Sequence, residues 1–215
     1  MNGGTMMKRW LKGSSYTLEP YISLYVFLFV LFVIGVIFGA SLVGSLSFLQ
    51  KQDLLFFVEQ YFQSFTEQSR QLTLSELVNS FWTHGKYVTF LFLFGLSFIG
   101  LPVVWFLLFI KGIVIGFTVG FLVNQLTWQG FLISLTSVAP QNLLIVPAYL
   151  LIVASSMIFC IHVMKMLFAK GKSYYTIGQA MSLYFKSYLI ALLIILGGSV
   201  IEAFISSQAM YFILK

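Results

Sequence analysis

The chain has too few charged residues to coat a globular surface in water. Only 8% of its 215 residues are charged and 60% are hydrophobic, whereas a soluble domain carries roughly 25% charged residues. Much of the chain must therefore use lipid as its solvent, and its length suits one membrane domain without a large soluble appendage. The net charge of +6 is spread among apolar segments rather than along one face, so we expect no nucleic-acid binding.

Long apolar runs divide the chain into segments that can each cross a bilayer. A helical span needs roughly 20 apolar residues, and these runs lack the alternation of barrel strands, so the spans must be helices. We therefore predict an all-α, polytopic integral membrane protein with about five transmembrane helices in a single domain, residues 21–215. The predicted spans are residues 21–46, 87–110, 112–126, 143–164 and 184–207. Residues 127–142, uncharged and containing Pro140, are predicted to form a tight outer loop or a shallow re-entrant segment.

Lys and Arg predict the orientation, because cytoplasmic loops of membrane proteins carry an excess of both. We place the basic segment 1–20 in the cytoplasm, ahead of an uncleaved first span, and the C-terminus outside. The predicted inner side receives Lys8, Arg9, Lys12, Lys111, Lys165, Lys170, Lys172 and Lys186. The predicted outer side receives Lys51, Arg70, Lys86 and Lys215.

The largest predicted element outside the membrane is the outer loop 51–86. It contains two aromatic-rich amphipathic helices, the second of which begins at a predicted capping box formed by Thr73 and Glu76. Such helices suit the membrane interface, so the loop is interpreted either as a lid packed on the outer ends of the spans or as a docking surface for an extracytoplasmic partner. The candidate partner contacts are Glu59, Phe62, Glu67, Phe81 and Trp82.

No recognisable catalytic or metal-binding motif is present. The sequence has neither a His-Glu-x-x-His zinc motif nor a Gly-x-Ser-x-Gly nucleophile elbow. His84 is predicted in the outer loop and His162 at an inner helix end, on opposite sides of the membrane, and the single Cys160 is interpreted as a small buried hydrophobe. We therefore predict a protein that is not an enzyme and uses no cofactor or metal.

Small residues recur every four positions in three spans, which lets helix backbones approach closely. These predicted packing residues are Gly35, Gly39, Gly112, Gly116, Gly120, Ser199 and Ala203. They are expected to pack helices within this chain, with assembly onto another membrane subunit as the alternative. Glu202 is predicted near the outer end of the fifth span, where it either reaches headgroup water or acts as an intramembrane polar group.

Two segments together resemble one family. Residues 109–116 read Phe-Ile-Lys-Gly-Ile-Val-Ile-Gly, and residues 140–147 read Pro-Gln-Asn-Leu-Leu-Ile-Val-Pro. The first of these segments follows Gly95 and Gly100 of the second predicted span. The order of these features resembles the stage II sporulation protein M family, and the resemblance covers nearly the whole chain. Pro140 and Pro147 match the family pattern.

The fourth span departs from that pattern in its polar residues. Gln141, Asn142 and Ile145 stand where the wider family often has His, Gly and Glu. Any function that relatives derive from that polar trio is therefore in doubt here.

The resemblance implies a role during engulfment in endospore-forming bacteria. It implies a protein of the mother-cell membrane at the sporulation septum that holds two peptidoglycan-degrading partners, the stage II sporulation proteins D and P. The leading hypothesis is thus a non-enzymatic membrane scaffold that localises wall hydrolases. The alternative is a subunit of a transporter or permease, suggested by Pro140, Pro147 and Glu202.

Overall fold

The computed structural model describes residues 21–68, 74–168 and 176–203, and leaves the side chains of residues 61–76 and 168 outside its description. The helices in chain order are α1 (Ile22–Ser45), α2 (Phe48–Gln68), α3 (Leu74–Gly95), α4 (Leu101–Ile133), α5 (Ala139–Phe168) and α6 (Ile177–Ile201). A short 3-10 helix (Phe98–Gly100) precedes α4, and a π-helical turn (Ser134–Val138) joins α4 to α5. The described ranges contain no strand, which confirms the all-α prediction.

Three apolar helical stretches are long enough to cross a membrane: Ile22–Ser45, Phe98–Leu167 and Ile177–Ile201. The middle stretch has 70 residues, or about 105 Å of helix at 1.5 Å per residue, far more than the roughly 30 Å of hydrocarbon in a bilayer. It folds back at Thr127, whose backbone is not helical (φ 49°, ψ −120°). The chain is thus an all-helical membrane protein.

The helices do not break at the predicted boundary between the second and third spans. The span predicted at residues 87–110 is interrupted after Gly95, and α4 then runs unbroken through the predicted inner loop at Lys111. Lys111 lies about 15 Å inside α4, because it comes ten residues after the helix begins.

Helix-breaking residues, and not the lone charge, place this boundary. Lysine is a good helix former, whereas Gly100 sits where an added Cβ would lie 1.9 Å from the carbonyl oxygen of Phe94. Pro102 then occupies the first turn of α4, a position where its missing N–H costs nothing.

Residues 127–142, predicted as a tight outer loop or a shallow re-entrant segment, form a tight turn at Thr127 followed by a returning helix. Only Thr127 departs from helical backbone geometry within α4. An added Cβ at Gly130 would lie 1.9 Å from the carbonyl oxygen of Leu122, so the returning helix starts directly against the outgoing one. The π-helical turn then leads into α5, whose second residue is Pro140.

Helix directions alternate along the chain once α2 is set aside. α1 and α4 are parallel, since Gly35 lies beside Phe109 while Gly120 lies beside Ala40. α3 is antiparallel to α4 across their short connection, and α6 is antiparallel to both α3 and α5. α1, α4 and α6 therefore point one way, and α3 and α5 point the other way.

The core lies among α3, α4, α5 and α6, with α1 packed on α4. Its largest fully buried side chains include Tyr149, Tyr184, Leu91, Leu108 and Ile152. Near the start of α6, the Tyr184 ring stacks between Phe92 and Phe159, and its hydroxyl donates a hydrogen bond to the carbonyl oxygen of Phe92.

Candidate functional site

A polar network joins α3, α4, α5 and α6 inside the bundle. Its members on α3 are Ser80, His84 and Tyr87, which share one helix face because they are spaced four and three residues apart. This face meets Tyr149 of α5 and Glu202, which caps the C-terminal end of α6. We call these five residues and Lys111 the interior network.

The outer half of the network centres on Glu202. Ser80 donates a hydrogen bond to the Glu202 carboxylate, and His84 Nε2 lies 3.4 Å from Glu202 Oε2. The other imidazole nitrogen, Nδ1, is hydrogen-bonded to the Tyr149 hydroxyl at 2.8 Å. The Glu202 side chain is 32% exposed and that of His84 13% exposed, so the network begins near the surface and leads inward.

The inner half of the network holds Lys111 by aromatic faces rather than by a carboxylate. Lys111 Nζ lies 5.4 Å from the centre of the Tyr149 ring and 6.0 Å from that of Tyr87, within the range of cation–π attraction. The Tyr87 hydroxyl donates to the carbonyl oxygen of Leu107. Among the described residues, no carboxylate lies within 4.0 Å of Lys111.

The interior network can bind a proton, and it can hold a positive charge on Lys111 apart from a negative charge on Glu202. It contains an amine, two phenols, an imidazole and a carboxylate within one bundle, where ionisable groups are costly and often functional. In the described part of the chain, no group of three or more His, Cys, Asp or Glu residues is placed to hold a metal ion.

The sequence singled out only Glu202 from this network. The structure gives Glu202 the pairing partners that one of its two interpretations required. His84, predicted in an outer loop, instead lies within α3, and Lys111 was assigned to an inner loop. The helical spacing of Ser80, His84 and Tyr87 is a signal that could have revealed the α3 face.

The predicted packing glycines lie at the contact between α1 and α4. An added Cβ would lie 2.1 Å from the Ile113 carbonyl oxygen at Gly39, and 2.0 Å from the Val36 carbonyl oxygen at Gly116. Gly35, Gly112 and Gly120 also face backbone atoms of the opposite helix at 2.5–3.0 Å. These five glycines therefore serve packing within the chain.

The remaining small residues lie at the end of α6. Ser199 is fully buried, and its hydroxyl has no hydrogen-bond partner in the described part of the chain. Ala203 is half-buried in the last described turn.

The residues at the start of α5 have structural contacts of their own. Ile145 is fully buried, and its Cγ1 would lie 2.8 Å from a Cβ added at Gly198 of α6. The Asn142 amide donates to the carbonyl oxygen of Val138 at 2.7 Å. Pro147 lies inside α5 with its side chain exposed.

α2 stands apart from the bundle. It has no extensive packing contact with any other helix of the described residues. The lid and docking interpretations of this segment both stay predictions. Phe56 and Phe57 are 63% and 65% exposed and contact each other edge to face. Glu59 is exposed beside them.

Of the other candidate partner contacts, one lies at the surface, one packs on the core, and the rest have side chains outside the described residues. Trp82 is 59% exposed, with Lys86 Nζ 5.0 Å above its ring. Phe81 is half-buried and packs against the core. The side chains of Phe62, Glu67 and Glu76 and the whole of Thr73 lie outside the described residues, so the predicted capping box has no counterpart there.

Together these features define an all-helical membrane protein with a close α1–α4 contact, a polar interior network and a separate aromatic helix. The family model described as Stage II sporulation protein M matches residues 28–207. The chain belongs to this family, and it is a sporulation-related membrane protein. Comparison with curated proteins and with solved structures gave no match.

Proposed function

We propose that this protein is a non-enzymatic membrane scaffold that holds peptidoglycan-degrading partners at the sporulation septum during engulfment. The partners that the family suggests are the stage II sporulation proteins D and P. The observation that supports the proposal is α2, a helix with exposed Phe56, Phe57 and Glu59 that is not packed on the bundle. Aromatic residues are enriched in protein interfaces, and the rim of an interface is polar.

The proposed topology has five crossings, formed by α1, α3, α4, α5 and α6. The alternating directions of these helices are compatible with five successive crossings. In this proposed topology, α2 lies on the same side of the membrane as the α4–α5 turn. Trp128, 68% exposed at that turn, suits the aromatic belt at the membrane surface. The other side of the membrane carries the basic N-terminal segment and the α5–α6 connection. This side has the excess of Lys and Arg even when Lys111, which lies within α4, is not counted. We propose that it faces the cytoplasm.

Cysteine labelling tests this topology. In a Cys160→Ser background, we expect Gln52→Cys on α2 to react with a membrane-impermeant maleimide added to intact cells. Ser97→Cys, exposed in the α3–α4 connection, should react only after the cells are opened. Labelling of Ser97→Cys from outside would contradict the orientation, and no labelling in opened cells would contradict the turn at residues 96–100.

Substitutions on α2 test the docking surface. Phe56→Ala combined with Phe57→Ala should lower partner recovery on purification by about tenfold or more, because exposed aromatic residues are often the strongest contributors to an interface. Glu59→Lys combined with Glu67→Lys should also impair recovery. Neither pair should lower the amount of folded protein, since α2 contributes little to the core.

Gln52→Ala provides the matched control, because Gln52 is an exposed polar residue of the same helix and should leave recovery unchanged. Normal partner recovery from both variant pairs would contradict α2 as the docking surface. Loss of the folded protein itself in either pair would favour the lid interpretation.

A further inference from the structure

The two halves of α3 are held in the bundle by different interactions. Its inner half contributes the buried side chains Val88, Leu91 and Phe92. Between residues 77 and 84, no described side chain is buried, and Val78 and Trp82 are 61% and 59% exposed. Apolar burial therefore secures the inner half of α3 much better than the outer half.

In the outer half of α3, the half-buried Phe81 packs against the core, and polar contacts to Glu202 and Tyr149 attach this half further. Ser80 and His84 both reach Glu202, and His84 also reaches Tyr149. Because these contacts join the outer half of α3 to Tyr149 of α5 and to the C-terminal end of α6, their loss would free the outer half of α3 while the inner half stayed packed. Local opening of this kind occurs where few apolar contacts hold an element.

The groups that face Glu202 from each neighbouring helix favour its carboxylate form. From α3, Ser80 donates a hydrogen bond, and His84 presents an imidazole nitrogen. From α4, the Lys111 ammonium attracts the carboxylate electrostatically. From α5, the Tyr149 hydroxyl faces the other side of His84. A proton added to Glu202 removes the charge that these contacts stabilise.

We propose that Glu202 is a proton-binding latch that controls the outer half of α3. As a carboxylate, Glu202 holds this half against α5 and α6. When a proton from water on the exposed side of Glu202 converts the carboxylate to a neutral carboxylic acid, the contacts to Ser80 and His84 weaken and the outer half of α3 is released. Since α2 directly precedes α3 in the chain, release also repositions the docking surface; this last consequence rests on the proposed function.

Reporter cysteines on α3 test the latch in the purified full-length protein without any partner. In the Cys160→Ser background, Leu77→Cys reports on the half-buried side of the outer half, and Val78→Cys on its exposed side. The ratio of their maleimide labelling rates cancels the effect of pH on thiol reactivity. In Glu202→Gln, this ratio should rise by about tenfold, because hydrogen bonds to charged groups are the stronger ones.

The pH dependence separates Glu202 from His84. In the protein with native Glu202, the Leu77-to-Val78 ratio should rise as the pH falls, and Glu202→Gln should give the high ratio at every pH. Val88→Cys, in the buried inner half, should stay protected throughout, and Glu59→Gln should behave like the parent. A low ratio in Glu202→Gln, or a pH dependence that survives in that variant, would overturn the latch. Because these measurements need no partner, their result supports or contradicts the latch independently of the scaffold proposal.

Discussion

Replacing Gly116 with leucine is expected to lower markedly the amount of folded protein in the membrane. A Cβ at this position would lie 2.0 Å from the Val36 carbonyl oxygen, and backbone cannot move aside as a flexible side chain can. Overpacking typically costs about 1–3 kcal/mol, and a rigid backbone contact places this substitution at about 3 kcal/mol or more. Against the roughly 5–15 kcal/mol that stabilises a folded protein, such a loss should be visible as lower abundance and a lower Tm in detergent.

Gly44→Leu is the matched control, because a Cβ at Gly44 in the same α1–α4 pair of helices would meet no atom within 4 Å. Gly116→Ala should cause a smaller loss than Gly116→Leu, in the same direction. If Gly116→Leu accumulated as well as Gly44→Leu, the close contact between α1 and α4 would be contradicted.

The second large effect is expected from reversing the charge of Lys111. Lys111→Glu would place a carboxylate over the faces of Tyr87 and Tyr149, which are electron-rich, and in the same network as Glu202. An uncompensated buried charge costs about 3–5 kcal/mol, so this variant should lose most of its folded protein.

Two further substitutions separate charge from size at this position. Lys111→Met keeps the length of the side chain without its charge, and we expect it to fold, because replacing a buried charge with a well-packed apolar group is often neutral. Lys165→Glu reverses an exposed lysine of α5 and should change the Tm little. The measurement is the Tm of all three variants. A normal Tm for Lys111→Glu would show that Lys111 is not enclosed by the tyrosine rings.

The general fold could be predicted because hydropathy is a local property. α1 and α6 are uninterrupted apolar runs. α1 agrees with its predicted span to within one residue at each end, whereas α6 begins at Ile177, seven residues before the predicted start of the fifth span. The boundaries failed where a charge was taken as the end of a span. Lys111 continues a helix because its ammonium is sheltered by rings from α3 and α5, and a linear sequence cannot show that shelter.

The interior network could be predicted only in part, because its members come from four helices. Glu202 was recognisable as an acidic residue in an apolar run, and Ser80, His84 and Tyr87 share a helical spacing. Tyr149 carries no local signal, and the lone charge of Lys111 was interpreted as an inner loop, since the roles of both residues depend on which helices become neighbours. The glycines of α1 and α4 were recognisable because close packing requires small residues at regular spacing, although their pairing with each other was not.

The composition of the complex that this protein forms in sporulating cells tests the scaffold proposal most directly. The full chain would be purified from membranes in a mild detergent, and the proteins recovered with it would be identified and quantified. We predict that peptidoglycan-degrading enzymes are recovered in a fixed ratio to the chain, and that the combined Phe56→Ala and Phe57→Ala substitutions remove them. Recovery of the folded protein without any wall hydrolase, or with a cytosolic ATPase in a fixed ratio, would contradict the scaffold.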